Sequence, residues 1–245
     1  MYFKNKVCVV IPSFRVRNEI KNVLKKIDKK LVDKIIVIDD FCPEKTGSFV
    51  KSLKIKNVSV IFLKKNSGVG GATLIGFSKA LKQKFDIIFK IDGDGQHDPA
   101  NIIDFLKKLK SSNVNFCKGT RFKKDIDRNK IPKFRLFGNI ILTFLTRINC
   151  RNFRITDVVN GYFGIKSKLL KKVDFNRVSN DFFFEEDLLY HLSFHEKNIH
   201  EIPIKTFYFK KSSLIPLKTV LPFLIKHLIN FLDRLIHDIS KKKNK

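Results

Sequence analysis

FDIIFKIDGDGQHDP, residues 85–99, runs from an apolar segment into two closely spaced acids and then toward a helix. Phe85 to Ile91 is apolar and β-branched enough to predict a short buried strand. The run stops at Asp92-Gly93-Asp94-Gly95, where a single glycine separates two carboxylates. Alternate side chains of an extended segment point the same way, so Asp92 and Asp94 can converge on one cation. The glycines allow backbone conformations that other residues resist and let a ligand come close. Asp98 suits an N-cap and Pro99 the first helical position, which predicts a helix through about Lys110. In an open α/β sheet, ligands bind beyond the carboxyl ends of the strands. The acidic pair falls there.

Paired oxygen ligands suit Mg2+ or Mn2+, which often join one or two carboxylates to substrate phosphates. The pair therefore points to a metal-bound diphosphate without saying what is attached to it. A plain turn would also gather acids and glycines at a strand end. The surrounding chain has to decide.

Upstream, Lys6–Ile11 predicts a first strand, followed by Pro12-Ser13-Phe14. Ile20, Val23, Leu24 and Ile27 then recur at helical spacing. Lys34–Ile38 predicts a second strand, ending in Asp39-Asp40 and a polar loop through Gly47, and Val58–Leu63 a third. The turn Asn66-Ser67-Gly68-Val69-Gly70-Gly71 enters a helix with Leu74, Ile75, Phe77 and Leu81 on its apolar face. It lacks the full dinucleotide and Walker patterns, so Gly71 is either part of a phosphate cradle or part of a tight strand-to-helix turn. Strand and helix alternate up to the acidic pair, as a parallel, doubly wound sheet requires. Pro12/Ser13, Asp39/Asp40 and Asp92/Asp94 would then line one sheet edge.

Downstream, Val114–Gly119 predicts a strand ending in Thr120-Arg121, and Arg121 can offset diphosphate charge. Phe134–Ile148 is strongly apolar but interrupted by Arg135, Gly138, Asn139 and Arg147, which suits an interface or packing on the sheet. Asp157 precedes a strand at 160–165. Phe182–His195 reads as a helix with Glu185, Glu186 and Asp187 at its start, where an exposed helix N-terminus favours acids. Val220–Ile236 carries apolar residues at 220, 221, 224, 225, 228, 231, 232 and 235, next to Lys226, Arg234 and a lysine tail. That stripe suits a membrane surface, a partner helix or the chain's own domain.

The 245 residues are enough for one α/β domain with a C-terminal appendage, and 43% hydrophobic residues exclude a disordered chain. The domains predicted are 1–213 and an amphipathic, basic segment 214–245. Cys8, Cys42, Cys117 and Cys150 are scattered without metal-site spacing and read as buried thiols in a reducing compartment. No long apolar leader is present, and no stretch of about 18 uncharged apolar residues predicts a spanning helix. The net charge of +27 is spread as lysine over nearly every helix and turn. On its own it would admit nucleic acid, an anionic membrane face or phosphorylated ligands. Nucleic-acid binding leaves the acidic pair unexplained, and no nucleic-acid partner is expected.

Taken in order, IPSF (11–14), IIVIDD (35–40), NSGVGGA (66–72), DGDGQHDP (92–99), KGTRF (118–122), DVVNGYFGIKSKLL (157–170), FFEEDLLYHL (183–192) and EIPIKTFY (201–208) resemble the family 2 glycosyltransferases. The likeness is to the dolichol-phosphate mannosyltransferase-like, polyprenyl-phosphate branch and covers about residues 5–220. It implies a GT-A fold, a Rossmann-like, mostly parallel sheet flanked by helices, with a UDP- or GDP-linked sugar as donor and Mg2+ or Mn2+ as cofactor. Carried over residue by residue, Pro12 and Phe14 border the nucleoside, and Asp40, with Asp39, meets the base or ribose. Asp92 and Asp94 meet the metal and diphosphate, while Gln96 and Arg121 line the donor site. Asp157 takes the place of an acid beside the acceptor.

Two departures stand out. Arg15-Val16 replace the Asn-Glu that many relatives carry after IPxY, and Glu19 nearby is not assigned that role. The loop at 205–213 matches ambiguously the Arg/Lys loop of lipid-phosphate enzymes. The implied reaction is inverting attack on the anomeric carbon as nucleoside diphosphate leaves. A lipid monophosphate acceptor needs no strong base, whereas a glycan hydroxyl would make Asp157, Glu186 or Asp187 the candidate. The expected setting is cytoplasmic, peripheral at the inner membrane face.

Overall fold

The computed structural model describes residues 5–111, 113–122, 133–207 and 220–243. Seven strands form one mixed sheet: β1 (Val7–Ser13), β2 (Lys34–Asp39), β3 (Val58–Phe62), β4 (Ile87–Lys90), β5 (Phe116–Thr120), β6 (Phe163–Lys166) and β7 (Ile199–Pro203). Their order is β3-β2-β1-β4-β6-β5-β7. The pairs β1–β2, β2–β3, β1–β4 and β5–β7 are parallel, and β6 runs antiparallel to both β4 and β5. The helices are α1 (Ile20–Lys26), α2 (Thr46–Ser52), α3 (Gly68–Lys82), α4 (Ile102–Leu109), α5 (Lys133–Cys150), α6 (Ser167–Leu170), α7 (Phe184–Leu192) and α8 (Val220–Lys243).

Every residue of β1 is buried because helices cover both faces of the sheet. Cys8 and Val10 pack with Ile36, Ile38 and Phe77 on one side. Val7, Val9 and Ile11 pack with Ile35, Val37 and Phe105 on the other. Two-residue alternation thus survives inside a continuous apolar run, each parity serving a different core.

Asp98 accepts from Ala100 N at 3.1 Å, and Pro99–Asn101 forms a 3-10 turn that leads into α4, as the acidic stretch predicted. α2 starts at Thr46, within the last two residues of the polar loop expected through Gly47. It forms because Asp39, seven residues before the helix, accepts from Cys42 N at 2.8 Å and from Gly47 N in the helix's first turn. A carboxylate placed there satisfies an otherwise orphaned helix amide. At α7 an exposed helix N-terminus does not account for the three acids, because Glu185, Glu186 and Asp187 are all buried. α8 lies against α5, with further polar ties to α7. The expected boundary at 213/214, and most of the 205–213 loop, lie outside the described residues.

Candidate active site

Strand register assembles the site. Ser13 pairs with Asp39 across β1–β2, and Val10 with Lys90 across β1–β4, so three parallel strands end on one edge. That edge carries Pro12, Asp39/Asp40 and, just past β4, Asp92 and Asp94. Antiparallel β6 starts where β4 ends, with Lys90 opposite Phe163, which delivers Asn160 and Gly161 to the same edge.

Lys90 is buried beneath this edge. Its Nζ lies 2.7 Å from Asp92 Oδ1 and donates to Glu185 Oε1 at 2.8 Å. Burial pulls the lysine pKa down, but Asp92 and Glu185 outweigh it and hold the ammonium above its ordinary range. For Asp92 burial pushes up, and Lys90 outweighs it, so the carboxyl stays below its ordinary range. Burial, reinforced by the charge on Asp92, pushes Asp94 up to about 6. Asp94 Oδ1 accepts from Gln96 N at 3.0 Å, which fixes the turn after the pair. Gly161 closes this cluster from above: a Cβ there would collide with Asp92 Oδ2 and Lys90 Nζ.

Two half-buried carboxylates that cannot both ionise without repelling each other form a place where a divalent cation relieves repulsion. Among the described residues, no group of three or more His, Cys, Asp or Glu side chains is arranged as a metal cage. The donor set fits a cation held by one or two carboxylates and completed by substrate oxygens and water.

Arg121 and Asp157 are brought together at the end of β5. Arg121 Nε donates to Asp157 Oδ2 at 2.8 Å, Nη2 to Oδ1 at 2.7 Å, and the Arg121 backbone N to Oδ2 at 3.0 Å. Burial pushes Asp157 up, but this fork outweighs it and keeps the carboxylate ionised. Glu201 on β7 holds the loop beneath, accepting from Thr156 N at 2.7 Å and Asp157 N at 3.2 Å.

The other expected residues divide. Phe14 is 41% exposed at the end of β1, open to a flat ligand, next to buried Pro12. Asp40 accepts from Ser67 N at 2.6 Å, and burial raises its pKa. Asp39 has both carboxylate oxygens committed to Cys42 and Gly47, so it shapes the edge. The Gly68–Gly71 turn packs against 179–180: Gly71 N donates to Asn180 O at 2.9 Å, and a Cβ at Gly70 would collide with the Ser179 carbonyl.

Two lysines escaped the sequence reading, and the surroundings of Glu186 and His97 were not legible in it. Lys90 and Lys118 lie in strand segments and are buried, and the pull of burial brings Lys118 down to about 8. Their signal was a lysine inside an apolar run, where a charge needs partners. Burial, then the neighbouring Glu185, pushes Glu186 up to about 8, and both its carboxylate oxygens are buried without a hydrogen-bond partner. Burial brings His97 down to about 4, which leaves it neutral under Asp92.

Solved structures carry the same architecture. A structure of glucosyl-3-phosphoglycerate synthase from Mycobacterium tuberculosis with Mn2+, UDP and glucosyl-3-phosphoglycerate superposes with a TM-score of 0.67. It is 15% identical and is matched over 94% of this chain and 80% of that one. The shared fold is GT-A. Residues 8–174 match the family model described as glycosyl transferase family 2, and the chain belongs to that family. Its relatives place it beside the polyprenyl-phosphate branch. The UDP-N-acetylglucosamine–dolichyl-phosphate N-acetylglucosaminyltransferase of Methanococcus voltae is 27% identical over 216 residues, 82% of this chain and 86% of that protein. The dolichol-phosphate mannosyltransferase of Pyrococcus furiosus is 28% identical over 178 residues, 71% of this chain and 49% of that protein.

Proposed function

We propose that this glycosyltransferase moves a sugar from a UDP- or GDP-linked donor onto a membrane-borne polyprenyl phosphate, in cell-surface glycan synthesis at the cytoplasmic face. The observation that carries this reading is the Asp92/Asp94 pair, mutually repelling on the edge where three parallel strands end. Family membership and the two lipid-phosphate relatives support it. Asp92 and Asp94 would hold Mg2+ or Mn2+ against the donor diphosphate, and the ion would offset charge on the departing nucleotide. Lys90 keeps Asp92 ionised and aimed. Pro12, Phe14 and Asp40 border the nucleoside, while Gln96 lines the diphosphate. Arg121, held in place by Asp157, lines the donor site beside the diphosphate.

A lipid monophosphate attacks with an oxygen that is already anionic, so the site needs no strong base. The commitment of Asp157 to Arg121 suits that acceptor. One observation favours a second reading. Glu186 has an unengaged carboxylate, and transfer to a glycan hydroxyl with inversion would fall to it as general base. Asp187 is tied to Ser179 N at 2.8 Å and Asn230 at 2.9 Å.

The test is sugar transfer from radiolabelled UDP- and GDP-sugars with Mn2+ and polyprenyl phosphate. Butanol-extractable label that disappears in Asp94→Ala is the expected result. Donor binding without lipid label, with turnover on a glycan acceptor lost in Glu186→Gln, would establish the second reading. Absence of binding to every donor would overturn both.

A further inference from the structure

The two longest helices on one flank of the domain are built inside out. α8 turns Phe223, His227 and Arg234 inward, each no more than 5% exposed. Its inward bonds are polar: Asn149 Nδ2 donates to His227 O at 3.0 Å, Asn230 to Asp187 at 2.9 Å, and Arg234 Nε to Asn149 O at 3.0 Å. Tyr190 adds a 2.6 Å bond to Asp233, and Lys226 a 2.7 Å bond to Asp181. The outward face is Leu221, Leu224, Ile225, Leu228, Ile229 and Leu232, continuing to Ile236 at 65% exposed. The steps of three and four residues make one stripe.

α5 repeats the inversion. Asn139, Thr143, Thr146 and Asn149 are buried, while Phe137, Ile140, Ile141 and Phe144 face out. The hydroxyls of Thr143 and Thr146 and Nε2 of His227 have no partner among the described residues, yet they stay inward. Rolling either helix to hide its apolar face would break the bonds just named. Soluble monomers rarely expose so continuous an apolar surface, and one of this kind marks an interaction site.

Charge indicates what lies on it. The chain carries +27, and α8 runs into Lys241-Lys242-Lys243. A second copy would bring like charge against like charge, whereas an anionic bilayer attracts it. No helix among the described residues is long and apolar enough to cross a membrane. Together these features fit a pair of helices lying in an interface with their apolar faces down.

We propose that the outward faces of α5 and α8 form one docking surface for an anionic lipid bilayer. This deepens the reading of a membrane-borne acceptor and rests on it only for its purpose. The surface holds the domain on the leaflet that carries the substrate.

The chain has no tryptophan, so one introduced residue reports alone. Full-length Phe144→Trp and Leu228→Trp would be mixed with phosphatidylcholine/phosphatidylglycerol vesicles, plain or with brominated acyl chains. Both fluorophores should shift to the blue and be quenched by bromine, while Phe62→Trp at the opposite sheet edge should not. Leu224→Ser/Leu228→Ser/Leu232→Ser should lower vesicle partitioning at least about tenfold, with Mn2+-dependent nucleotide-sugar binding unchanged. Unquenched tryptophans in a chain that binds donor overturn the docking surface and leave the transferase reading intact. Quenching without donor binding supports the surface and counts against the transferase. Concentration-dependent dimers without vesicle binding assign the face to a second copy and overturn the proposal.

Discussion

Lys90 shows how a single residue links strand and chemistry. It ends β4, yet it is buried between Asp92 and Glu185, so removing its charge would strand two carboxylates. Gly161 guards that arrangement. Gly161→Ala would press a methyl group into Asp92 and Lys90. The expected result is at least about a tenfold loss of Mn2+-dependent donor affinity, since losing one well-placed charged bond costs about 1.5–3 kcal/mol. Calorimetry checks it, with circular dichroism confirming that the sheet survives. Asp92 and Asp94 were legible because two acids across one glycine at a strand end have few other uses. Lys90 and Gly161 were not, because their roles depend on a residue seventy or more positions away. Asp157 was read as an acid near the acceptor, but sequence could not show that Arg121 occupies both its oxygens.

At the scale of elements, periodicity worked wherever a helix or strand buried its apolar face against the sheet. β1, β2, α1 and α3 are such cases. It misled where tertiary contacts overrode the local pattern. α2 is entered through Lys45, in left-handed backbone (φ +53°), and includes Gly47, a poor helix former held by Asp39. The stripe on α8 was visible, but which way it faced was not, since an apolar stripe ordinarily turns inward. Arg234 sets the orientation. Its Nε bonds to the Asn149 carbonyl, a second nitrogen bonds to Ser193 Oγ, and its guanidinium lies 3.7 Å over the Phe194 ring. Arg234→Met would keep the bulk and strand those acceptors, so a loss of about 2–4 kcal/mol is expected. Urea unfolding would measure it, and hydrogen exchange should rise first along α8.

For the whole molecule, the proposed role of Asp94 would couple ligand binding to stability. Its folded pKa of about 6 lies above the ordinary carboxylate value, so the stability that Asp94 itself contributes to the free protein is lost as pH rises from about 4 toward 6. A cation that needs the ionised carboxylate reverses that loss above pH 6 and competes with a proton below it. Mn2+ with UDP-sugar at about a hundredfold excess over Kd should stabilise the chain by about 2.7 kcal/mol at pH 7.5, roughly 5–10 °C in Tm. The shift should shrink steadily toward pH 5 and vanish in Asp94→Asn. A pH-independent shift in differential scanning fluorimetry would count against Asp94 as a ligand.

The ion pair between Arg121 and Asp157 spans 36 positions and fastens both ends of the excursion that carries α5. Mechanically this is a buckled strap. Its buckle lies in the candidate site, so opening that one pair would be expected to slacken the hold on α5 as well as to unseat Arg121.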